Sequence, residues 1–539
     1  MQTSKRFDYI IVGAGSAGCV LADRLSADAS INVLLLEAGG RDLNPLIHIP
    51  LGVGKIGQRR LHDWGMFTDP EPGLNNRRLA APRGKVLGGC SSINIMVYTR
   101  GHPGDYDRWA RNGANGWSFS DVLPYFKRSE HWEDGETVYR GGTGPLYTEW
   151  ARSADPLWEA WLAAAHGAGW PISDDLNGLQ SEGFGRSQYT IGGGFRCSAA
   201  VAYLNRALTR PNLQLITHAR ATRILIERGC AKGIEFHQRG CLHQAVAERE
   251  VIIAAGTFNS PQLLMLSGIG PACHLKEIGI EPKVDLPVGK NLQDHLAPLM
   301  MWSRPRNPSP LRNTLRFDRI SAAMVRAYIF GSGPATEIPG GLYGFLKLDS
   351  DSTVPDLEII FRGAPTEAGP WFPGIKRSYL DAFGMRPCLL HPASRGSVLL
   401  RSKDPFVSPR ILLNCLSEPA DLCTLKRGIA IARELAASKH LDRFRGEEIS
   451  PGPAARTELE IEAWIRATST TAQHPAGTCK MGADSQSVVD DQLRVCGVER
   501  LRVVDASIMP DLISGHLNAA VIMIAEKASD MILQKTLPA

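Results

Sequence analysis

Near its start the chain reads Phe7-Asp-Tyr-Ile-Ile-Val12, then Gly13-Ala-Gly-Ser-Ala-Gly18, Cys19-Val-Leu-Ala-Asp-Arg-Leu25, and finally Val33-Leu-Leu-Leu36 with Glu37 behind it. The first and last are short, almost unbroken apolar runs, the pattern of strands covered on both faces. The segment between them has the apolar spacing of a helix. Strand, glycine turn, helix and strand make a βαβ unit. Gly13, Gly15 and Gly18 stand as G-x-G-x-x-G: the first permits a tight turn, the second lets backbone approach a pyrophosphate, and the third lets helix pack on strand. Ser16 opens the helix, where free N–H groups and a partial positive charge face bound phosphates. Glu37, 19 residues beyond Gly18, falls where a carboxylate accepts from the adenosine ribose hydroxyls. The unit predicts a bound dinucleotide, and by itself leaves NAD and FAD open.

Two more strand-like runs lie far away, Arg249-Glu-Val-Ile-Ile-Ala-Ala255 and Leu501-Arg-Val-Val-Asp505. If they share one sheet with the first unit, the domain is assembled from discontinuous pieces. The 539 residues allow two to four domains, or two large interleaved ones. Gly/Pro-rich, irregular sequence fills 301–375 yet carries Leu357-Glu-Ile-Ile-Phe361, a further strand, and reads as part of a second domain. Hydrophobic residues are 43% and charged residues 21%, values of an ordinary globular chain and not of a disordered or fibrous one. A net charge of +5 without a basic block argues against nucleic acid or an anionic membrane as the main partner. No apolar run is long enough to cross a bilayer. Met1-Gln-Thr-Ser-Lys-Arg6 lacks the apolar core of a secretory leader. The 11 scattered cysteines show neither C-x-x-C nor zinc spacing, so the expectation is reduced thiols, mostly buried, no metal, and a cytoplasmic protein, with peripheral membrane association left open.

Longer blocks carry a family resemblance. Arg83-Gly-Lys-Val-Leu-Gly-Gly-Cys-Ser-Ser-Ile-Asn94, continuing through Met96-Val-Tyr-Thr-Arg-Gly101, resembles the first signature of the glucose–methanol–choline (GMC) oxidoreductases. Gly256-Thr-Phe-Asn-Ser-Pro-Gln-Leu-Leu-Met-Leu-Ser-Gly-Ile-Gly270 resembles the second. Val288-Gly-Lys-Asn-Leu-Gln-Asp-His295, His474-Pro-Ala-Gly-Thr-Cys-Lys-Met-Gly482, Val504-Asp-Ala-Ser-Ile-Met-Pro510 and Ser514-Gly-His-Leu-Asn518 extend the match in family order. The nearest flavour is the bacterial choline-dehydrogenase-like branch. The resemblance implies an α/β fold: a Rossmann-like FAD-binding domain from segments 7–155, 195–300 and 468–535, and a substrate-binding domain from 156–194 and 301–467 with a mostly antiparallel sheet and helices.

The resemblance also implies FAD as cofactor. It places Gly88, Gly89, Ser92 and Asn94 along the flavin and ribityl chain, where the serines and Asn94 offer short donors, and adds Val97 and Gly256 to the cofactor contacts. The backbone of Ala221 would meet adenine. Asp505, followed by Ala506, would reach the ribityl or the pyrophosphate, and Asn518 would lie by the pyrimidine edge with a helix N-terminus behind it. Ile93 replaces the histidine that bonds covalently to flavin in some relatives, so non-covalent FAD is expected. Cys90 replaces a common serine and reads as a small buried residue. Lys480 replaces an arginine, putting a point charge where a planar fork is usual.

Oxidising an alcohol removes a hydroxyl proton and a carbon-bound hydride; the proton needs a base held about 3 Å from the hydroxyl, and histidine suits neutral pH. His474 matches the family base, and Pro475 holds it in extended backbone. His516, before the apolar stretch Ala519–Leu533, matches the residue that positions the substrate oxygen, with helix capping as the plainer reading. The expected reaction is oxidation of a primary aliphatic or aromatic alcohol, or of a sugar or polyol, with electrons passing to O2, a quinone or another acceptor. Choline dehydrogenase proper, a hydroxynitrile-lyase-like activity and flavin binding without turnover are the alternatives. Phe330, Tyr343, Phe345, Phe361, Trp371 and Phe372 are candidates to line the pocket, with a core role the weightier reading. Glu337 or Glu358 could face a quaternary ammonium, and the sequence favours neither. Oligomeric state is not legible.

Overall fold

A computed structural model describes residues 5–535; Met1–Ser4, part of the stretch read for a leader, lies outside the described residues. The strand Lys5–Val12 occupies the middle of a seven-stranded sheet. It pairs in parallel with Val33–Leu36 on one side and with Cys241–Ile253 on the other. Leu213–Ile216 continues the sheet beyond Val33–Leu36. Leu501–Val503 joins it in parallel through Val251–Ile253. The three apolar runs that lie hundreds of residues apart in sequence thus share one sheet. Ile10, Ile11, Val33, Leu35 and Val251–Ile253 are fully buried, which is why these strands carry no polar alternation.

The helices Ser16–Leu25 and Leu517–Leu533 pack on each other beside this sheet. The turn into the first is fixed by sterics. Gly13 has φ +103°, and a Cβ there would sit 2.5 Å from the Ala254 carbonyl oxygen. A Cβ on Gly18 would sit 1.8 Å from the Gly13 carbonyl oxygen, so helix and strand approach more closely than any side chain allows.

The second sheet is antiparallel at every pairing. It runs Glu448–Ser450, Met300–Ser303, Ala382–Leu389, Leu357–Arg362, Leu342–Leu346 and Gly183–Arg186 in order. Its core includes Trp161, Phe184, Phe345, Phe361 and Phe383. The mixed α/β class with one Rossmann-like and one antiparallel sheet agrees with expectation. The irregular 301–375 region holds a helix that the Gly/Pro content concealed, Phe317–Phe330, ended by Gly331 in the left-handed conformation. All cysteines are free; six are buried, Cys90 and Cys496 are half-buried, and Cys241, Cys273 and Cys423 are exposed. Cys90 is therefore not the enclosed residue expected. No helix among the described residues is long and apolar enough to cross a membrane.

The Gly18 contact predicts that Gly18→Val, by overpacking the helix–strand crossing, lowers stability by about 3 kcal/mol. Chemical denaturation of the cofactor-free protein measures it, and an unchanged midpoint contradicts the packing.

Candidate active site and cofactor cleft

Two helix N-termini meet at the glycine turn. Ser16 Oγ donates to Asn518 Oδ1 at 2.7 Å, tying the start of Ser16–Leu25 to the start of Leu517–Leu533. Each end carries unsatisfied N–H groups and a partial positive charge, so the junction suits anionic phosphates. Gly15 lies here with nothing within 4 Å of where its Cβ would stand. Glu37 closes the far side, 6% exposed. Its Oε2 accepts from Ala14 N at 2.9 Å and its Oε1 from Gly39 N at 2.7 Å. Each carboxylate oxygen retains a lone pair for a hydroxyl donor. Burial pushes the Glu37 carboxyl up to about 7. An open backbone cradle beside two helix ends, with a buried carboxylate beyond it, fits the pyrophosphate and ribose of a dinucleotide.

The Gly88–Gly89 turn packs over Gly15. Gly88 N donates to Ala14 O at 2.8 Å, and a Cβ on Gly89 would lie 2.7 Å from Gly15 Cα. The serines after it serve the turn itself: Ser91 Oγ donates to Gly88 O, and Ser92 Oγ to Leu87 O, each at 2.6 Å. They satisfy carbonyls that the tight 3-10 turn leaves over, so their hydroxyl protons are not the free donors read from sequence. Asn94 Oδ1 likewise accepts from Met96 N and from the buried Arg196 Nη1. Val97 is buried in a two-residue strand paired to Tyr189. Ala221 is half-buried in the strand Ala219–Glu227. Asp505 is committed to protein: Oδ2 accepts from Gly256 N at 2.9 Å and Ser260 Oγ at 2.6 Å, and Oδ1 from Ser507 N at 2.8 Å. Gly256 has φ +84° at that contact, and the Ala506 carbonyl accepts from Gly477 N. Lys480 forms a partly exposed ion pair with Asp484 at 2.8 Å.

The histidines converge. The rings of His474 and His516 stand edge to face with centroids 4.6 Å apart. His516 caps Leu517–Leu533 through its backbone only, and its side chain makes no capping bond, which frees the ring for the site. Its Nε2 lies 3.0 Å from Glu358 Oε1, and Glu358 is fully buried on the strand Leu357–Arg362. Tyr343 sets its ring edge-to-face against His516 at 5.4 Å. His474 Nδ1 lies 3.0 Å from Nδ1 of His295, which is itself fully buried. The His474 backbone N–H donates to Asp294 Oδ1 at 2.8 Å. Surrounding protein, then the neighbouring His516 and His295, hold His474 well below the ordinary histidine range. Burial holds His295 at about 3. Both imidazoles are neutral at pH 7.

His295 and Glu358 are the site groups that sequence reading left without a role. His295 stood inside a quoted block without a partner in view, and Glu358 was one of two undistinguished acids. Glu337 is exposed, with the Arg152 charge acting on it. Among the six aromatics, Tyr343 is the one set against a site histidine, edge-to-face on His516. Phe345 and Phe361 are core, and Trp371 donates its indole N–H to Arg312 O. Phe330 and Phe372 face outward, 73% and 37% exposed, so neither fills a core.

The N-terminal pattern of the GMC oxidoreductases matches residues 7–297 and the C-terminal pattern residues 392–525. Oxygen-dependent choline dehydrogenases from Sinorhizobium fredii and Sinorhizobium medicae are 44% and 43% identical over 531 residues, covering 98% of this chain and 96% of each relative. Pyridoxine 4-oxidase from Mesorbium loti superposes with TM-score 0.88 at 30% identity, over 98% of this chain and 100% of that one. A formate oxidase from Aspergillus oryzae RIB40, studied for its FAD modification, superposes with TM-score 0.91 at 27% identity over 99% of both chains.

The open space at Gly15 predicts that Gly15→Val folds with an unchanged denaturation midpoint without cofactor yet binds FAD at least ~100-fold more weakly, about 3 kcal/mol. Titration of apoprotein with FAD measures it, and undiminished affinity contradicts the placement of the phosphates.

Proposed function

The chain belongs to the GMC oxidoreductase family and is an FAD-dependent oxidoreductase of alcohol type, and from that premise we propose that it oxidises a small uncharged alcohol with His474 as the base. The observation that carries the proposal is the His295–His474 contact. A single proton lies between two Nδ1 atoms 3.0 Å apart. If His295 holds it, His474 carries N–H on Nε2 and has no lone pair for substrate. If His474 holds it, Nε2 is bare and basic. The second tautomer needs a proton on His295 Nε2. The Leu390 and Ile513 carbonyls favour a proton on that ring, although Nε2 has no partner in hydrogen-bond geometry. His295 is thereby the residue that orients the base and selects its tautomer.

FAD, when bound, supplies the acceptor for the hydride that leaves the carbinol carbon. His474 Nε2 takes the hydroxyl proton, and the imidazolium so formed donates Nδ1–H to His295. His516 Nε2 is engaged by Glu358 and its Nδ1 is left for the substrate oxygen; when the His516–Glu358 pair holds one further proton, Nδ1–H donates to that oxygen while His474 accepts the hydroxyl proton. Charges of both signs meet at this point: Arg83 and Arg386 act on His474 and Arg362 and Arg386 on Tyr343, while Glu358 lies against His516 and Asp294 accepts from the His474 backbone. Neither Arg362 nor Arg386 has a carboxylate ion-pair partner among the described residues. The three arginines favour a developing alkoxide and, set against Glu358 and Asp294, weigh against a further cationic head group, which supports a primary aliphatic or aromatic alcohol over choline itself.

The test is anaerobic mixing of the holoenzyme with aliphatic, aromatic and polyol substrates and with choline. Bleaching of the flavin absorbance by uncharged alcohols, faster than by choline, is expected, and admission of dioxygen or a quinone then identifies the acceptor by reoxidation. His474→Ala should retain FAD and lower the rate of bleaching by about 100- to 10,000-fold. Faster reduction by choline overturns the substrate assignment. Turnover of a cyanohydrin without bleaching overturns the redox reading altogether.

A further inference from the structure

The helix Phe317–Phe330 is built inside out. Its inward face offers Ala323 and Ala327 to a small cluster with Ile49 and Ala335. Its outward face carries Phe317, Val325, Tyr328, Ile329 and Phe330, each 56–73% exposed. The adjoining loop lies against the start of the helix, Phe317 N donating to Trp371 O at 2.8 Å. It adds Phe372, Ile375 and Leu380, the last two 84% and 86% exposed. Side chains of this size on a surface are common singly; gathered on one helix face and one loop, they mark a surface that is covered in use. A shallow apolar dish between Ser321, Val325, Arg326, Phe330 and Ser332 is continuous with them.

The unpaired charges around the patch have one sign. Arg319, Arg326, Lys376 and Arg377 are exposed and form no ion pair among the described residues, while the one acid in 311–332 and 370–380, Asp318, is held by Arg316 at 2.6 Å. In a two-fold contact between copies of this chain the patch would meet itself, setting these cations against each other. A flat anionic surface neutralises all of them together and accepts the apolar side chains between its head groups.

We propose that Phe317–Phe330 and the 371–380 loop dock the enzyme on the face of an anionic lipid bilayer. The aromatic and aliphatic groups enter the interface, and the four free cations meet lipid phosphates. The site histidines belong to other elements, so docking leaves them untouched.

The experiment is co-sedimentation of the full-length holoenzyme with vesicles of phosphatidylcholine alone or containing about a quarter phosphatidylglycerol, at low and high salt. Partition onto the anionic vesicles at least ~10-fold above the neutral ones, lost at high salt, is expected. Arg319→Gln and Arg326→Gln should each lower it by about fivefold. Ile329→Ser with Phe330→Ser should abolish it, with flavin content and alcohol turnover unchanged. Holoenzyme that stays in the supernatant with anionic vesicles overturns the proposal. So does a lipid-free dimer that the Ile329→Ser/Phe330→Ser variant dissociates, because a second copy then covers the patch.

Discussion

The site depends on two imidazoles pressed together where neither can hold a charge at rest. His295 is sealed and His474 opens only towards the cleft. Two like charges about 4 Å apart repel by about 4 kcal/mol at an effective dielectric near 20, so at most one ring of the pair is protonated during turnover. Burial decides which. His295 has no access to water, and in the proposed mechanism His474 is the ring that receives the hydroxyl proton. The same contact joins the 288–295 and 470–482 segments, and Gln293 and Ala476 strengthen it by exchanging backbone hydrogen bonds.

A second constraint is the convergence of helix ends. Ser16–Leu25 begins at the glycine turn, and Leu517–Leu533 begins immediately after His516. The Ser16–Asn518 bond fixes one start against the other. One pair of helices therefore both presents the end proposed to hold the phosphates and carries the His516 ring proposed to position the substrate. The antiparallel sheet supplies the opposing wall, with Glu358 and Tyr343 on neighbouring strands reaching His516 from that side.

The βαβ unit was legible because its constraints are local. Gly18 answers to the Gly13 carbonyl within the same turn, Gly13 is marked by the fingerprint spacing although the atom it must clear, Ala254 O, lies at the end of a distant strand, and the fully buried strands advertise themselves as unbroken apolar runs. His474 and His516 were legible through the long blocks around them. The partners were not. Glu358 lies 158 residues from His516, and His295 lies 179 from His474, and no local pattern encodes a pairing across such a separation. Ser91 and Ser92 show the converse: their type suggested donors to a ligand, yet a tight turn left carbonyls that took their protons first. Phe330 and Phe372 were read as pocket or core because large aromatics are usually buried, and the outward face of an alanine-packed helix reverses that expectation.

The neutral, His295-oriented base is tested most directly by the pH dependence of the anaerobic flavin-reduction rate constant in wild type and His295→Leu. A base whose pKa lies well below 6.5 is fully deprotonated above that range. Wild type should therefore reduce at one rate from about pH 7 to pH 9 and slow only on the acid side. His295→Leu, lacking the acceptor for Nδ1–H, should reduce at least ~10-fold more slowly while keeping its FAD. A wild-type rate that climbs with an inflection at or above pH 8, or a His295→Leu enzyme with the wild-type rate and profile, would contradict the account.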